Sequence, residues 1–381
     1  MSATAAVAVG VGEMASARNI VIAGGGTGGH VNPALAIADA YCSTFKDAKV
    51  LFIGTAQGLE SRLVPERGYE IEFVEGSRLV GGGLLAKVRG LWQLVQGILQ
   101  ARRLLKRHQS QLVVGVGGYA SGAALLAAWT LGLKSAIHES NAVPGLTNRV
   151  LGRLVDRVYL GFEAASGAFP SGRVVVTGNP VRPEIAALQQ EVPSARLDDS
   201  PARILVVGGS QGAQFLNERV PELLAEVSAG GIPLVVTHQV GKRDPDPVIA
   251  AYKAHGMTVE VVAYIDDMAS AYRDADLAIT RAGSGTISEL AAAGLPALLV
   301  PFPHAAGDHQ AANASAFVAA EAGLMARQEH WDGKKLAQWI VSLLTDNRAL
   351  EKAACGARGL ARTEAAKGVV ERCESLMEGR W

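Results

Sequence analysis

The sequence predicts an α/β protein built from two doubly wound, Rossmann-like domains whose parallel sheets face a cleft. Short, fully apolar runs alternate with helical patterns along most of the chain, which is typical of parallel strands buried on both faces. Two of these runs, residues 20–23 and 204–207, each lead into a glycine-rich loop and then a helix. The length of 381 residues also favours two domains, on a prior of roughly 150 residues per domain.

The predicted strands fall into two series separated by a proline-containing segment. The strands of the first series are 20–23, 50–53, 71–74, 112–116, 135–138, 157–160 and 174–177. Residues 178–183 contain two prolines and interrupt the pattern. The strands of the second series are 204–207, 234–236, 259–262, 277–280 and 297–300. Because the carboxyl ends of parallel strands share one edge of a sheet, ligand-binding loops are expected at that edge in both domains.

This pattern predicts five regions along the chain. The tail is expected to be disordered, and the C-terminal helices are expected to pack back towards the first domain. The predicted regions are the tail 1–18, the first domain 19–180, a linker 181–202, the second domain 203–345 and the C-terminal helices 346–381.

Composition gives no support to several classes of function. The chain has 36 Lys+Arg and 36 Asp+Glu residues, so its zero formal net charge gives no indication of a nucleic-acid partner. Its 3 cysteines form no CxxC pair, which favours a reducing compartment and no structural metal site. No apolar run reaches the length of about 18 residues that a membrane-spanning helix requires.

The first glycine-rich loop is the most informative segment. Residues 19–30 read NIVIAGGGTGGH, a strand followed by five glycines, a threonine and then His30. Glycine lets the backbone approach a ligand closely, and the following helix offers unpaired amides to an anion. His30 is therefore a candidate general base beside a phosphate or a sugar. ATP binding is disfavoured because no Lys-Ser/Thr pair follows the glycines, and NAD binding because the second strand ends in Gly54-Thr55 without an acid.

A second loop, residues 281–289 with the sequence RAGSGTISE, follows a strand of the second domain. Thr286 and Ser288 are expected to donate to phosphate oxygens at the helix start. Glu289 either accepts hydrogen bonds from two ribose hydroxyls or stabilises the first helical turn, and the residues alone favour neither. Gln310 and Asn313 share a helix face and suit either sugar hydroxyls or exposed positions.

Taken together, the motifs resemble those of the MurG family of peptidoglycan-building N-acetylglucosaminyltransferases. Any one of these motifs is only modest evidence, but the complete set in this order along the chain is highly specific for the family. They are GGTGGH (25–30), GGYxSG (117–122), HExNxxxGLTN (138–148), GNPVR (178–182), GGSQGA (208–213), DDM (266–268), RxGxxTxxE (281–289), GLPALLVP (294–301) and DHQxxNA (308–314).

The resemblance implies a GT-B fold and transfer of GlcNAc from UDP-GlcNAc to the muramyl 4-hydroxyl of lipid I, giving lipid II with inversion. It makes His30 the general base and gives Ile265 a backbone contact to uracil. No cofactor and no metal are expected, and Asp244-Pro245-Asp246 and Asp274-Ala275-Asp276 are interpreted as surface segments. The residues that the resemblance assigns to UDP-GlcNAc are Thr27, Gly28, Gly29, Asn141, Arg182, Ser210, Ile265, Ser284, Gly285, Thr286, Ile287, Ser288, Glu289 and Gln310. Arg182 suits a grip on phosphate, although an interdomain ion pair is the alternative.

Because lipid I is anchored in the membrane, the family resemblance implies a peripheral enzyme on the cytoplasmic face of the inner membrane. Apolar residues among basic ones in the segment 78–92 suit an anionic lipid surface, although an amphipathic core helix is the alternative. Other proteins of cell-wall synthesis and division are further expected partners. The residues assigned to the acceptor or the membrane are Tyr119, Ser121, Leu79, Leu84, Leu85 and Trp92.

Two other hypotheses compete with this one. The chain could be a different GT-B enzyme, such as another UDP-sugar transferase or a UDP-GlcNAc 2-epimerase, although no cluster of acids lies near the first glycine loop. It could also be a catalytically inactive protein that binds nucleotide sugar and serves as a scaffold. The presence of His30, Arg182 and Glu289 together argues against the scaffold.

Overall fold

The computed structural model describes residues 18–75, 84–191, 200–209 and 212–380, and for residues 84–89 it describes the backbone only. It confirms the predicted fold class, because the chain forms two α/β domains, each built on one parallel sheet. Residues 1–17 of the predicted tail lie outside the described residues. Arg18, which was assigned to that tail, is ordered instead: it forms an ion pair with Glu374, and its guanidinium lies 3.9 Å from the centre of the Phe45 ring.

The first sheet has seven strands in the order β3-β2-β1-β4-β5-β6-β7. The strands are β1 (Asn19–Gly24), β2 (Lys49–Gly54), β3 (Glu70–Phe73), β4 (Leu112–Gly117), β5 (Lys134–Glu139), β6 (Arg157–Leu160) and β7 (Val174–Val176). The helices of this half are α1 (Gly28–Thr44), α2 (Glu60–Glu66), α3 (Leu84–Arg107), α4 (Tyr119–Leu131), α5 (Leu146–Leu151) and, after the sheet, α6 (Pro183–Ala186).

The second sheet has six strands in the order β10-β9-β8-β11-β12-β13. The strands are β8 (Ala202–Val207), β9 (Leu234–Gln239), β10 (Glu260–Val262), β11 (Leu277–Thr280), β12 (Ala297–Leu299) and β13 (Gly323–Met325). The helices are α7 (Gln214–Ala229), α8 (Asp246–Ala254), α9 (Met268–Asp274), α10 (Ser284–Ala293), α11 (His309–Ala319), α12 (Gly333–Thr345), α13 (Asn347–Gly359) and α14 (Ala365–Met377). All the predicted strands are present, and β13 was not predicted.

Each sheet is covered by helices on both faces, which explains why its strands are apolar throughout. In the first domain one core lies between the sheet and α3, α4 and α5, and the other lies between the sheet and α1, α2 and α14. In the second domain α7, α8 and α12 cover one face, and α9, α10 and α11 cover the other. Burial of both faces favours continuous apolar runs over alternation.

The two C-terminal helices belong to different domains. Ala353 and Ala357 of α13 are buried against the second domain, whereas Val369, Val370 and Leu376 of α14 complete the core beneath the first sheet. The chain therefore crosses between the domains twice, once after β7 and once between α13 and α14. The two domains are therefore joined by two connections of the chain.

The order of the strands places one pair of loops at the centre of each sheet edge. In the first domain the loops after β1 and β4 are neighbours, because the direction of the chain across the sheet reverses between these strands. In the second domain the loops after β8 and β11 have the same relation. Ligands of doubly wound sheets bind at such a point of reversal.

Candidate active site

The first half of the site is the pair of glycine loops that follow β1 and β4. Gly25 N donates to Gly117 O at 3.2 Å, so the two loops touch. A Cβ at Gly24 would lie 2.4 Å from Gly117 O, so no larger residue fits there without a shift of the backbone. Gly26 has a φ of 91°, a conformation that favours glycine. The loops therefore form a tightly packed shelf of backbone at the rim of the first sheet.

His30 projects from the first turn of α1 onto this shelf. Its Nδ1 lies 3.2 Å from Gly25 O and 3.4 Å from Thr27 Oγ1. A carbonyl oxygen can only accept a hydrogen bond, so the contact with Gly25 assigns the proton to Nδ1 and leaves a lone pair on Nε2. Burial lowers the pKa of His30 below its ordinary value, and the nearby Glu139 carboxylate opposes that shift. The side chain is therefore neutral near pH 7, as a general base must be.

The other residues predicted in this loop surround His30. Thr27 precedes α1 and is exposed, and its side chain makes no capping hydrogen bond. Gly28 and Gly29 open α1, and Gly29 is also exposed. A Cβ at Gly26 would meet no atom within 4 Å, so the space above the loop is open. This end of α1 can therefore approach a ligand through its backbone.

Two buried carboxylates that the sequence analysis gave no role hold loops of the first domain in place: Glu60 holds the loop after β1, and Glu139 holds the loop after β5. Glu60 is 2% exposed and accepts from Gly26 N at 2.6 Å. Glu139 is 1% exposed and accepts from Asn141 N at 2.9 Å, Gly145 N at 3.0 Å and the Asn148 side chain at 2.9 Å. The partners of these carboxylates are mostly backbone amides, so the sequence gives little indication of their roles. For Glu139 alone there is an indication, because it is part of the motif at 138–148.

The second half of the site is the N-terminus of α10. Gly283 precedes the helix and no side chain caps it. The amides of Ser284, Gly285 and Thr286 have no acceptor among the described residues. Unpaired amides at the positive end of a helix dipole favour an anion. This end of α10 can therefore receive a diphosphate.

The structure corrects the predicted role of the Ser288 side chain in α10 and restricts how Ile287 can contact a ligand. Ser288 Oγ donates to Ser284 O at 3.0 Å and accepts from Asn179 at 3.1 Å, so its hydroxyl proton is not available to a phosphate. Ile287 is 2% exposed and packs in the core, so only its backbone can contact a ligand. The predicted donation from the Ser288 hydroxyl to phosphate is therefore wrong, because that hydroxyl already bonds within the protein. A donor contact of Ile287 stays a prediction for its backbone alone.

Arg182 and Glu289 pair with each other at the start of the linker. Arg182 Nε and Nη2 both lie 3.3 Å from Glu289 Oε1, and the Tyr272 hydroxyl donates to Oε2 at 3.0 Å. The side chain of Glu289 is 14% exposed, and burial raises the pKa of its carboxyl against the opposing effect of Arg182. Both residues line a cavity of about 290 Å³ that lies against α1 and α2. Arg182 thus forms an ion pair at the edge of the cleft, but the pair joins the linker to the second domain and is not the interdomain pair that was the alternative.

Three further predicted contacts are only partly accessible or lie outside the described residues. The Ile265 amide donates to Gln239 Oε1 at 3.1 Å, so a uracil would have to displace Gln239 or use the Ile265 carbonyl. Gln310 Oε1 accepts from Phe302 N at 2.9 Å, which leaves the Gln310 NH₂ group to donate. Ser210 lies outside the described residues.

Comparison with known proteins identifies the family. Residues 20–160 match the glycosyltransferase family 28 N-terminal domain and residues 203–370 match its C-terminal domain. The chain is 41% identical over 352 residues to the Geobacter metallireducens UDP-N-acetylglucosamine--N-acetylmuramyl-(pentapeptide) pyrophosphoryl-undecaprenol N-acetylglucosamine transferase, covering 92% of this chain and 97% of that one. The chain belongs to the MurG family. The Myxococcus xanthus protein of the same name is 42% identical over 364 residues, 95% of this chain and 94% of that one. The crystal structure of Acinetobacter baumannii MurG superposes with a TM-score of 0.78 at 33% identity, covering 94% of this chain and 99% of that one.

In this MurG-family chain the two halves of the site are joined by buried amide side chains. Asn313 of α11 accepts from Ala142 N at 2.8 Å and donates to Asn141 Oδ1 and Ala282 O, both at 3.2 Å. Asn313 is fully buried, so the surface or sugar-facing roles considered for it are wrong. The Asn141 side chain accepts this bond from Asn313 and donates to Glu139 Oε1. Asn141 is therefore part of the contact between the domains at the cleft.

The residues assigned to the acceptor and the membrane have different environments. Ser121 is fully buried against β4, so its predicted contact with the acceptor is wrong for the hydroxyl. The Tyr119 hydroxyl is also buried, and burial raises its pKa. Trp92 is 59% exposed on α3, whereas Leu79 and the side chains of Leu84 and Leu85 lie outside the described residues.

An apolar patch surrounds Trp92. Leu91, Val95 and Leu99 on α3 and Trp129 on α4 are each at least 44% exposed. No described helix is both long and apolar enough to span a bilayer. Within the described residues no cluster of three or more His, Cys, Asp or Glu side chains is arranged to hold a metal ion.

The contacts of Asn313 give a test of how the domains are held. Asn313→Ala leaves the amide of Ala142 and the carbonyl of Ala282 without their partners, at a cost of about 1–3 kcal/mol for each buried group left unpaired. We expect a lower free energy of unfolding in urea. Ser315→Ala on the exposed face of the same helix is the matched control and should change little. Equal effects of the two substitutions would contradict this account of the domain contact.

Proposed function

We propose that this chain transfers GlcNAc from UDP-GlcNAc to the muramyl 4-hydroxyl of lipid I, with inversion, to give lipid II. The family supports the reaction, since the relatives are named for this donor and for an acceptor on pyrophosphoryl-undecaprenol. The observation that carries the proposal for this chain is the state of His30, whose Nδ1 faces a carbonyl and whose Nε2 is free to accept a proton. Across the cleft, α10 contacts α1 and presents its unpaired amides.

The proposed chemistry is a single displacement at the anomeric carbon of GlcNAc. Nε2 of His30 removes the proton of the acceptor hydroxyl as its oxygen attacks C1 from the face opposite the leaving group. The C1–O bond to the diphosphate breaks, and UDP leaves with the electron pair. The amides of Ser284, Gly285 and Thr286 and the Thr286 hydroxyl stabilise the charge that develops on the diphosphate. Gln310 donates from its free NH₂ group to a sugar hydroxyl.

Arg182 and Glu289 are proposed to exchange partners when the donor binds. The Glu289 carboxylate accepts from the vicinal ribose hydroxyls, and Arg182 turns its guanidinium to the diphosphate with two donors. The Tyr272 hydroxyl continues to hold Glu289 Oε2. The side chains of this pair are only 25% and 14% exposed, so in the absence of donor each charge depends on the other for compensation.

Purified protein is mixed with labelled UDP-GlcNAc, a short-chain lipid I analogue and a chelator, and the disaccharide product is measured. We expect the wild type to make product. We expect His30→Ala to have a kcat lower by about 10²–10⁴-fold, with little change in the affinity for UDP-GlcNAc.

The pH dependence of the rate gives a second test of His30. Because burial lowers the pKa of His30, the wild-type rate should persist as the pH falls below about 6.5 and decline only when Nε2 becomes protonated.

The matched control is His255→Ala, which removes an exposed histidine at the end of α8 and should leave kcat unchanged. If the wild type bound UDP-GlcNAc but made no disaccharide, the scaffold hypothesis or another acceptor would replace the proposal. Full activity of His30→Ala would remove His30 as the base.

The ribose role of Glu289 can be isolated with a matched pair of ligands. Wild-type protein should bind UDP more tightly than 2′-deoxy-UDP by roughly tenfold, since a hydrogen bond to a charged group contributes about 1.5–3 kcal/mol. Glu289→Gln should lose most of that preference, measured by titration calorimetry. Glu222→Gln, an exposed change on α7, should keep it. An unchanged preference in Glu289→Gln would show that Glu289 only stabilises the helix.

We further propose that the apolar patch around Trp92 docks the chain on the cytoplasmic face of the inner membrane. Exposed tryptophan and leucine suit the interfacial region of a bilayer, and the exposed Arg103 and Lys106 on the same helix suit anionic headgroups. The patch and the loop after β4 belong to the same domain, so docking would bring the acceptor-side rim towards the lipid.

Trp92→Glu should reduce sedimentation with vesicles that contain anionic lipid, because a carboxylate opposes both apolar insertion and the negative surface. Turnover of a short-chain acceptor in solution should be unchanged. Val235→Glu, which places the same charge on an exposed apolar site of the second domain, is the matched control and should bind vesicles as the wild type does. Equal binding by wild type and Trp92→Glu would contradict the docking surface.

A further inference from the structure

The carboxylate of Glu60 lies directly beneath the first glycine loop. Its Oε2 accepts from Gly26 N at 2.6 Å, and its Oε1 accepts from both the amide and the hydroxyl of Thr55 at 2.9 Å. Glycines enclose it: a Cβ added at Gly25, Gly54 or Gly58 would come within 2.5 Å of a Glu60 atom. The chain thus leaves room for one buried carboxylate and satisfies it with three donors.

The contact with Gly26 reaches His30 through a single peptide group. The N–H of Gly26 and the C=O of Gly25 belong to the same planar unit and point in opposite directions in a trans peptide. The N–H meets Glu60 Oε2, and the C=O meets Nδ1 of His30 at 3.2 Å. Glu60 and His30 therefore hold the two ends of one peptide group.

The local sequence does not fix the orientation of that peptide group. Gly25 and Gly26 have φ values of 147° and 91°, and glycine can occupy both signs of φ with little cost. A half-turn of the peptide would aim the Gly26 amide at the cleft and withdraw the Gly25 carbonyl from His30. The buried negative charge of Glu60 opposes this turn because it requires a donor to face it.

We propose that Glu60 is a positioning residue that sets the tautomer of His30. By accepting from Gly26 it turns the Gly25 carbonyl towards Nδ1, which keeps the proton on that nitrogen and the lone pair on Nε2. The charge of Glu60 also polarises the peptide, which strengthens the carbonyl as an acceptor. This inference rests on the proposed role of His30 as the base.

The direct test is the tautomer of His30 in solution, read from long-range ¹H–¹⁵N correlation spectra of the imidazole nitrogens. The His30 signals are assigned by their absence in His30→Ala. Wild-type protein should show the proton on Nδ1. Glu60→Gln has one carbonyl for two backbone amides and no charge, so it should shift His30 towards a mixture of tautomers. Glu60→Asp keeps the charge but is too short to reach both Thr55 and Gly26, and it should do the same.

Two substitutions serve as controls. Glu70→Gln, on an exposed position of β3, should leave the tautomer unchanged. Thr55→Val removes one hydrogen bond to Glu60 but leaves the bond to Gly26, so it should lower Tm without altering the tautomer. If Thr55→Val changed the tautomer as much as Glu60→Gln does, the effect would be general loosening and the proposal would be overturned.

Turnover provides a second readout. Glu60→Gln should lower kcat for GlcNAc transfer by roughly tenfold or more while KM for UDP-GlcNAc changes little, because the misplaced group is the base. Retention of both the Nδ1 proton and the wild-type kcat in the Glu60 variants would overturn the inference. If the wild type transferred no GlcNAc, the proposed function would fail, yet the tautomer shift would still decide the role of Glu60.

Discussion

The site depends on a small set of buried hydrogen bonds that hold two sheet edges against each other. Asn313 joins the loop after β5 to the loop after β11, and Asn179 joins Ser140 O to Ser288 Oγ. A buried amide has few ways to satisfy its donors and acceptor, so these bonds specify one relative placement of the domains. Because the bonds are polar and few, the same contact can open when substrate enters or product leaves, as expected of an interface between domains.

The glycine-rich loop after β1 and the glycine-containing loop before α10 are similar in sequence, but their backbone amides have different partners. In the first loop the Gly26 amide is used by the internal carboxylate of Glu60, which places a negative charge beneath the loop. At the start of α10 the amides of Ser284, Gly285 and Thr286 are unused among the described residues. A diphosphate is therefore favoured at α10 and disfavoured directly over Gly26. The first loop instead orients a neutral base. The two loops differ in this way because the Gly26 amide has an internal partner, whereas the amides at the start of α10 have none among the described residues.

Much of the fold could be predicted because each of its sheets is buried on both faces. That burial requires continuous apolar runs such as Leu112–Gly117, and these are visible in the sequence. The strand β13 was missed because it has three residues, begins with glycine and is only partly buried. The parts of the site made by backbone and glycine, including the start of α10, could also be predicted, because a glycine-rich turn before a helix is visible in the local sequence.

The side chains of the site were harder to predict because their partners are distant in sequence. Ser121, Ser288 and Asn313 are polar residues in ligand-like motifs, yet each faces the interior or the other domain. Glu60 had no signal, since its partners are mostly backbone amides that any residue provides. Which way a polar side chain turns on a helix is decided by tertiary packing and not by the motif that contains it.

The histidines show why hydrogen-bond partners separate a catalytic role from a structural one. Burial lowers the pKa of His138 and of His238 to about 4, so both are neutral at pH 7, as His30 is. His138, however, has Gly178 O at 3.3 Å on one nitrogen and Ser140 Oγ at 3.3 Å on the other, and His238 is held on both sides by Tyr252 and Asn217. Only His30 among these three leaves a ring nitrogen without a partner in the described residues. A lowered pKa makes a histidine neutral, but the free Nε2 at the sheet edge is what allows it to take a proton from a substrate.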